Sequence, residues 1–221
     1  CSGLGWRPDG TLLVASMLDR CLMSWDGTQL HLVCDVYDLA TYHCNDMVVD
    51  AQGRAYIGNF GFDLNSGQPL KTAEIIMVTP DGSARVVADG LRFPNGTVIT
   101  PDQQTLIVGQ TFGKCLTAFD IQPDGSLENQ REWAPLPGIY PDGICLDVQN
   151  GIWVACPRTA TVYRVEQGGN ITHSIKVKTN AYACMLGGED RRTLFIATSG
   201  TSHRSGRIET VQVEIPGAGL P

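Results

Sequence analysis

One pattern recurs five times along the chain, and it limits the fold more than any other feature. The copies open at Ser2-Gly-Leu-Gly-Trp6, Asn45-Asp-Met-Val-Val49, Asn95-Gly-Thr-Val-Ile99, Asp142-Gly-Ile-Cys-Leu146 and Ala183-Cys-Met-Leu-Gly187. Each begins with small or polar residues and continues into apolar ones. A turn then follows, at Pro8-Asp9-Gly10, residues 50–53, Pro101-Asp102, 147–151 and 188–190, and leads to a second apolar run. Behind each hairpin come further strand-like runs, such as 21–25 with 29–33, 74–78 with 84–88, 115–120 with 127–133, 161–165 with 171–177, and 207–215. Starts at 2, 45, 95, 142 and 183 are 43, 50, 47 and 41 residues apart. That spacing fits one four-stranded propeller blade per copy, and helical periodicity is nowhere sustained. The expected fold is all-β: a β-propeller forming a single domain over 1–221, with about five blades present. A blade cannot bury both faces alone, so blades stack radially and the first strand of each lines a central channel.

Composition removes several classes of function. The net charge is −7, and the 16 Lys and Arg form no run, which argues against a nucleic-acid partner. No apolar stretch approaches the length of a membrane span. The eight Cys show no Cys-x-x-Cys pair and read as mostly buried free thiols of a reducing compartment, so a cytoplasmic location is expected. The four His show no His-x-x-x-His spacing and there is no Gly-x-Ser-x-Gly elbow, which removes support for a zincin or a serine hydrolase.

Aligning the repeats places Ser2, Asn45, Asn95, Asp142 and Ala183 at one position, the start of the channel-lining strand. Pro-Asp-Gly shows why this register matters. At 8–10, 80–82 and 123–125 it falls between two strands as ordinary turn chemistry, whereas Asp142 of 141–143 enters the inner strand beside Asn95 and Asn45. Side-chain oxygens converging on a channel suit a hard divalent cation such as Ca²⁺ better than zinc; Asn and Asp also simply begin strands after loops. His43 sits two residues before Asn45, near the same mouth, as a structural residue or a substrate contact. Residues 59–70 break the rhythm of the second blade and carry two Phe among turn formers, which suggests a lid or a pocket wall.

The stretch Cys44-Asn-Asp-Met-Val-Val-Asp-Ala-Gln-Gly-Arg-Ala-Tyr-Ile-Gly-Asn-Phe-Gly-Phe-Asp63 resembles the second-blade signature of the senescence-marker protein, gluconolactonase and luciferin-regenerating-enzyme family. Phe93-Pro-Asn-Gly-Thr-Val-Ile-Thr-Pro-Asp102, Tyr140-Pro-Asp-Gly-Ile-Cys-Leu-Asp147, Ala181-Tyr-Ala-Cys-Met-Leu-Gly-Gly188 and Ser205-Gly-Arg-Ile208 extend the likeness in order over nearly the whole chain. The resemblance implies a six-bladed propeller with one divalent metal in its channel, usually calcium, and hydrolysis of small lactones, with phosphotriesters cleaved by some relatives. It implies Asn95 and Asp142 as metal ligands, Asp142 as general base, and Asn45 on the substrate or a metal-bound water. A non-catalytic binding scaffold holding a structural ion is the alternative from another class. Two departures stand out. The family's Glu-Gly-Pro motif, source of a further carboxylate ligand, is absent here, and the five copies match the second to sixth blades, so roughly fifty to sixty residues of the pattern are expected upstream. His43 also stands where the sugar-lactone branch carries Arg, which weakens an aldonolactone as substrate.

Overall fold

The computed structural model describes residues 1–219. Nineteen strands form five antiparallel sheets in chain order, and the described residues contain no α-helix, only one 3-10 turn at Pro157–Thr159. The first sheet comprises β1 Gly3–Trp6, β2 Leu12–Ser16, β3 Cys21–Trp25 and β4 Leu30–Asp35; the second comprises β5 Cys44–Val49, β6 Ala55–Asn59, β7 Ala73–Val78 and β8 Ala84–Leu91. The third holds β9 Pro94–Ile99, β10 Thr105–Gln110, β11 Cys115–Ile121 and β12 Leu127–Pro135, and the fourth holds β13 Ile144–Leu146, β14 Ile152–Cys156, β15 Thr161–Val165 and β16 Ile171–Lys176. The fifth has β17 Asn180–Gly187, β18 Thr193–Ser199 and β19 Arg207–Gln212. Inner strands β1, β5, β9, β13 and β17 pack on one another in succession, giving a five-bladed propeller arrangement.

Turn chemistry sets the hairpins. Every inner hairpin closes on an Asp whose carboxylate accepts the backbone N–H two residues on: Asp9 from Thr11, Asp50 from Gln52, Asp102 from Gln104, Asp147 from Gln149 and Asp190 from Arg192. The three Pro-Asp-Gly turns place Gly10, Gly82 and Gly125 at φ near +85°, the left-handed region that glycine enters without strain. Gly143, in the fourth Pro-Asp-Gly, is needed for another reason. A Cβ there would lie 2.8 Å from the Ala183 Cα of the next inner strand, and one on Gly96 would lie 2.4 Å from Ile144 N. The backbones of neighbouring blades meet at these glycines, where Gly96 N–H donates to Asp142 O at 3.1 Å and Gly143 N–H to Tyr182 O at 2.9 Å.

Four cores lie between successive blades. Leu13, Ala15 and Leu22 pack on Met47, Ile57 and Ile76; Tyr56, Ile75 and Met77 pack on Leu106, Val108 and Phe119. Val98, Ile107 and Leu116 meet Ile144 and Val154, and Trp153 and Val162 meet Leu186 and Ile196. Two buried ion pairs brace inner hairpins, Arg54 Nε to Asp50 Oδ2 at 2.6 Å and Arg164 Nε to Asp147 Oδ2 at 2.7 Å. Five of the eight Cys (21, 44, 145, 156 and 184) are buried, and all eight are free thiols, as the sequence suggested. No helix among the described residues is long and apolar enough to cross a membrane.

The fifth blade departs from the expected four strands. The chain leaves β19 at Gln212 and turns back on the fourth blade, where Val148 N–H donates to Pro216 O and Ala218 N–H to Leu146 O, instead of extending a strand pair to Ile215. The outward face of the first sheet is apolar across its full width. Its cross-strand rows are Leu4–Val14–Met23–Leu32 and Trp6–Leu12–Trp25–Leu30, and Leu4, Trp6, Trp25, Leu30 and Leu32 are exposed. The matching face of the fifth sheet exposes Met185, Phe195 and Ile208.

Candidate active site

The inner strands are irregular where the repeat places its polar residues. Between Cys44 and Met47, β5 spends three steps against two on β6, and β9 does the same between Pro94 and Thr97 against β10. Each is a bulge of one extra residue, centred on Asn45-Asp46 and on Asn95-Gly96. A bulge breaks the two-residue alternation and re-aims the side chains it carries. In β17 a comparable shift falls between Ala181 and Ala183.

Neighbouring acceptors fix the orientation of both Asn side chains. Asn45 Nδ2 donates one of its two hydrogens to the Pro94 carbonyl at 2.9 Å, and a carbonyl can only accept, so the amide's orientation is fixed and Oδ1 and one N–H are left for a ligand. The Thr111 hydroxyl gives its proton to Pro141 O at 2.7 Å, and therefore accepts from Asn95 Nδ2 at 3.1 Å. That bond orients the Asn95 amide and turns its Oδ1 away from Thr111. Asn45 and Asn95 are buried, while Asp142 is only partly covered.

Asp46, which the sequence reading passed over, joins this group. Burial raises the Asp142 carboxyl to about 7, and the negative charge of Asp46 adds to the rise against the hydrogen bonds from Asn95 and the Gly143 backbone. Asp46 itself is pushed up to about 6 by burial, opposed by the Met47 N–H that its Oδ1 accepts at 2.9 Å. No cation of the protein is among the causes of either shift. The signal for Asp46 was in the alignment: it stands where the third and fourth copies carry Gly96 and Gly143. The described residues contain no cluster of three His, Cys, Asp or Glu, so a metal here would rest on two carboxylates and amide oxygens. That all-oxygen, net negative donor set fits a hard divalent cation.

An aromatic group adjoins these residues. Phe60 and Phe93 have centroids 4.5 Å apart, Phe93 and Phe112 5.1 Å, and Phe62 and Phe112 6.0 Å. His43 joins at 6.1 Å from Phe60 and stacks on Tyr42 at 4.1 Å. His43 thus lies in this aromatic wall, two residues from Asn45. Phe93, two residues before Asn95, holds φ +66°, a conformation that costs a bulky side chain about 1–3 kcal/mol and persists only where its surroundings fix it. Within 59–70, Phe60 and Phe62 pack into this aromatic group, and 64–72 are exposed.

Sequence comparison bears on this arrangement. Residues 1–200 match the SMP-30/Gluconolactonase/LRE-like region. The chain belongs to this family. Within it, regucalcin of Danio rerio is 26% identical over 199 residues, covering 87% of this chain and 66% of that protein. The 6-deoxy-6-sulfogluconolactonase of Pseudomonas putida is 28% identical over 192 residues, covering 80% and 64%. The chain therefore spans slightly less than two thirds of these relatives. Among solved structures, luciferin-regenerating enzyme superposes with a TM-score of 0.81 at 16% identity, covering 99% of this chain and 81% of that one. A calcium-binding protein, regucalcin, from Agrobacterium tumefaciens gives 0.79 at 20% identity, covering 98% and 79%. At such identities these structures establish the fold alone.

Proposed function

We propose that the protein is a metal-dependent hydrolase that opens a small lactone or related ester at the mouth of the propeller. The observation that carries this reading is the pairing of two amides, each oriented by a hydrogen bond from its Nδ2, with two carboxylates that have no cation among the causes of their shifts. Asn95 and Asp142 would hold the divalent cation, with calcium the ion that an all-oxygen donor set favours. When bound, such an ion polarises a carbonyl as a Lewis acid.

The protein groups divide the remaining work. Asn45 positions the substrate carbonyl or the attacking water through its amide. Asp142, with a carboxyl near 7 in the metal-free protein, accepts a proton from water as the oxygen adds to the carbonyl carbon. That proton passes to the ring oxygen as the C–O bond opens, and the product is a hydroxy acid. A nearby cation lowers the basicity of Asp142, so its role as ligand is stronger than its role as base. Support comes from the family and from relatives named as gluconolactonases.

A phosphotriester is the second substrate class to test, because diisopropyl-fluorophosphatase of Loligo vulgaris is 31% identical over 126 residues, 51% of this chain. Asp142→Ala is expected to lower lactone turnover at least ~100-fold and to abolish its calcium dependence. Undiminished activity in that variant, or turnover indifferent to EDTA, would remove this assignment.

A further inference from the structure

The geometry points to a substrate whose body is apolar. We infer that the wall of Phe60, Phe62, Phe93, Phe112, His43 and Tyr42 makes the site select a lactone or ester carrying an aromatic or alkyl group over a polyhydroxylated one. This deepens the proposed hydrolase reading and rests on it.

Three observations converge. First, none of the four Phe belongs to the cores that join the blades, although Phe62 and Phe93 are buried; they form a separate cluster, whose Phe60 and Phe112 remain partly exposed. Second, the cluster is joined by backbone to the site residues. Phe60 N–H donates to His43 O at 2.9 Å, Thr111 N–H to Phe93 O at 3.1 Å, and Phe112 follows the Thr111 that orients Asn95. Third, the polar side chains around the wall are already engaged. Asn59 donates to Glu74 and accepts from Gly61 N–H, while Gln110 accepts from Arg92 N–H and donates to Thr117, both at 2.7 Å. The Phe60 and Phe112 amides are likewise tied back, to His43 O and Arg92 O.

Apart from the His43 imidazole and the Tyr42 hydroxyl, the polar capacity left for a ligand is concentrated on Asn45, Asp46, Asn95 and Asp142, on the same strands and loops that carry the rings. A polyol placed against those rings would lose hydrogen bonds to water without replacement, whereas an apolar group would gain contact area. The arrangement suits a ligand polar at its carbonyl end and apolar elsewhere.

The test uses matched, non-hydrolysable probes on the calcium-loaded protein: a phenyl-substituted δ-valerolactam and the polyhydroxylated gluconolactam, titrated by calorimetry. The phenyl probe is expected to bind at least tenfold more tightly. Phe60→Ala and Phe112→Ala should each reduce that preference at least fivefold, and Phe112→Leu should retain most of it, with circular dichroism confirming folding. Equal or tighter binding of the polyol probe, binding of neither, or a preference untouched by the alanine variants would overturn the inference. Turnover of the corresponding lactones separates the two levels. Selective binding without hydrolysis of either lactone upholds the wall and removes the hydrolase reading; hydrolysis that favours gluconolactone removes the wall and keeps the hydrolase.

Discussion

Asp142 and Asp46 show how two carboxylates can be held close together with no cation of the chain beside them, and the consequence is measurable without substrate. Both are raised above the ordinary carboxylate value, to about 7 and about 6, so between pH 4 and 7 the folded chain keeps protons that the unfolded chain has released. The contribution of these two groups to stability is then fully present below pH 4 and is lost as pH rises through 7, by something on the order of 2 kcal/mol once partial exposure is allowed for. Urea unfolding of the metal-free chain at several pH values should show this slope; Asp142→Asn should remove most of it, and saturating calcium should cancel it. A flat profile in the metal-free chain would contradict the coupling of the two carboxylates. The thiols offer a second check at this scale. Burial pushes Cys44 up to about 12, the contact with the Cys145 thiol together with burial holds Cys184 well above the usual thiol range, and Cys1 is exposed. A thiol-specific dye should label Cys1 at once, and Cys44 and Cys184 only as the protein unfolds.

At the scale of elements, the close approach of inner strands decides which glycines tolerate change. Gly96→Ala sets a Cβ against the Ile144 backbone and Gly143→Ala sets one against Ala183, so each should cost more than about 3 kcal/mol and shift the thermal midpoint accordingly. Gly206→Ala, with only a Thr198 carbonyl at 4.0 Å, should be near neutral in the same calorimetric scan. Breaking a buried ion pair from one side leaves a charge without its partner. Asp147→Ala should cost about 3–5 kcal/mol in chemical unfolding, and Arg164→Met distinctly less when made together with Asp147→Ala than the separate losses added. The hairpins themselves were legible beforehand, because Pro-Asp-Gly and the Asp-led turns act locally. The bulges at Asn45-Asp46 and Asn95-Gly96 were not, since an extra residue in one strand is defined only by its partner strand.

For the whole molecule, the outward faces of the first and fifth sheets expose large apolar side chains. Two complete apolar rows on the first sheet, and Met185, Phe195 and Ile208 on the fifth, are exposed apolar surface of the kind that drives association. The 221-residue chain should self-associate in sedimentation experiments in a concentration-dependent way, and Leu4→Ser with Trp6→Ser should reduce this without loss of β-structure. A strictly monomeric chain at high concentration would show that these faces are less accessible than they look.

The sequence by itself determined the repeat, the all-β class, the succession of blades and the shared register of Asn45, Asn95 and Asp142, because turn residues and two-residue alternation act within a few positions. Only the tertiary structure could decide that Asp46 joins them, that Thr111 and Pro94 orient the two amides, and that Phe93 and Phe112 meet Phe60 and Phe62 from another blade. Those relations depend on distances between segments up to about a hundred residues apart, which the bulges and the close glycine contacts set and which no local pattern encodes.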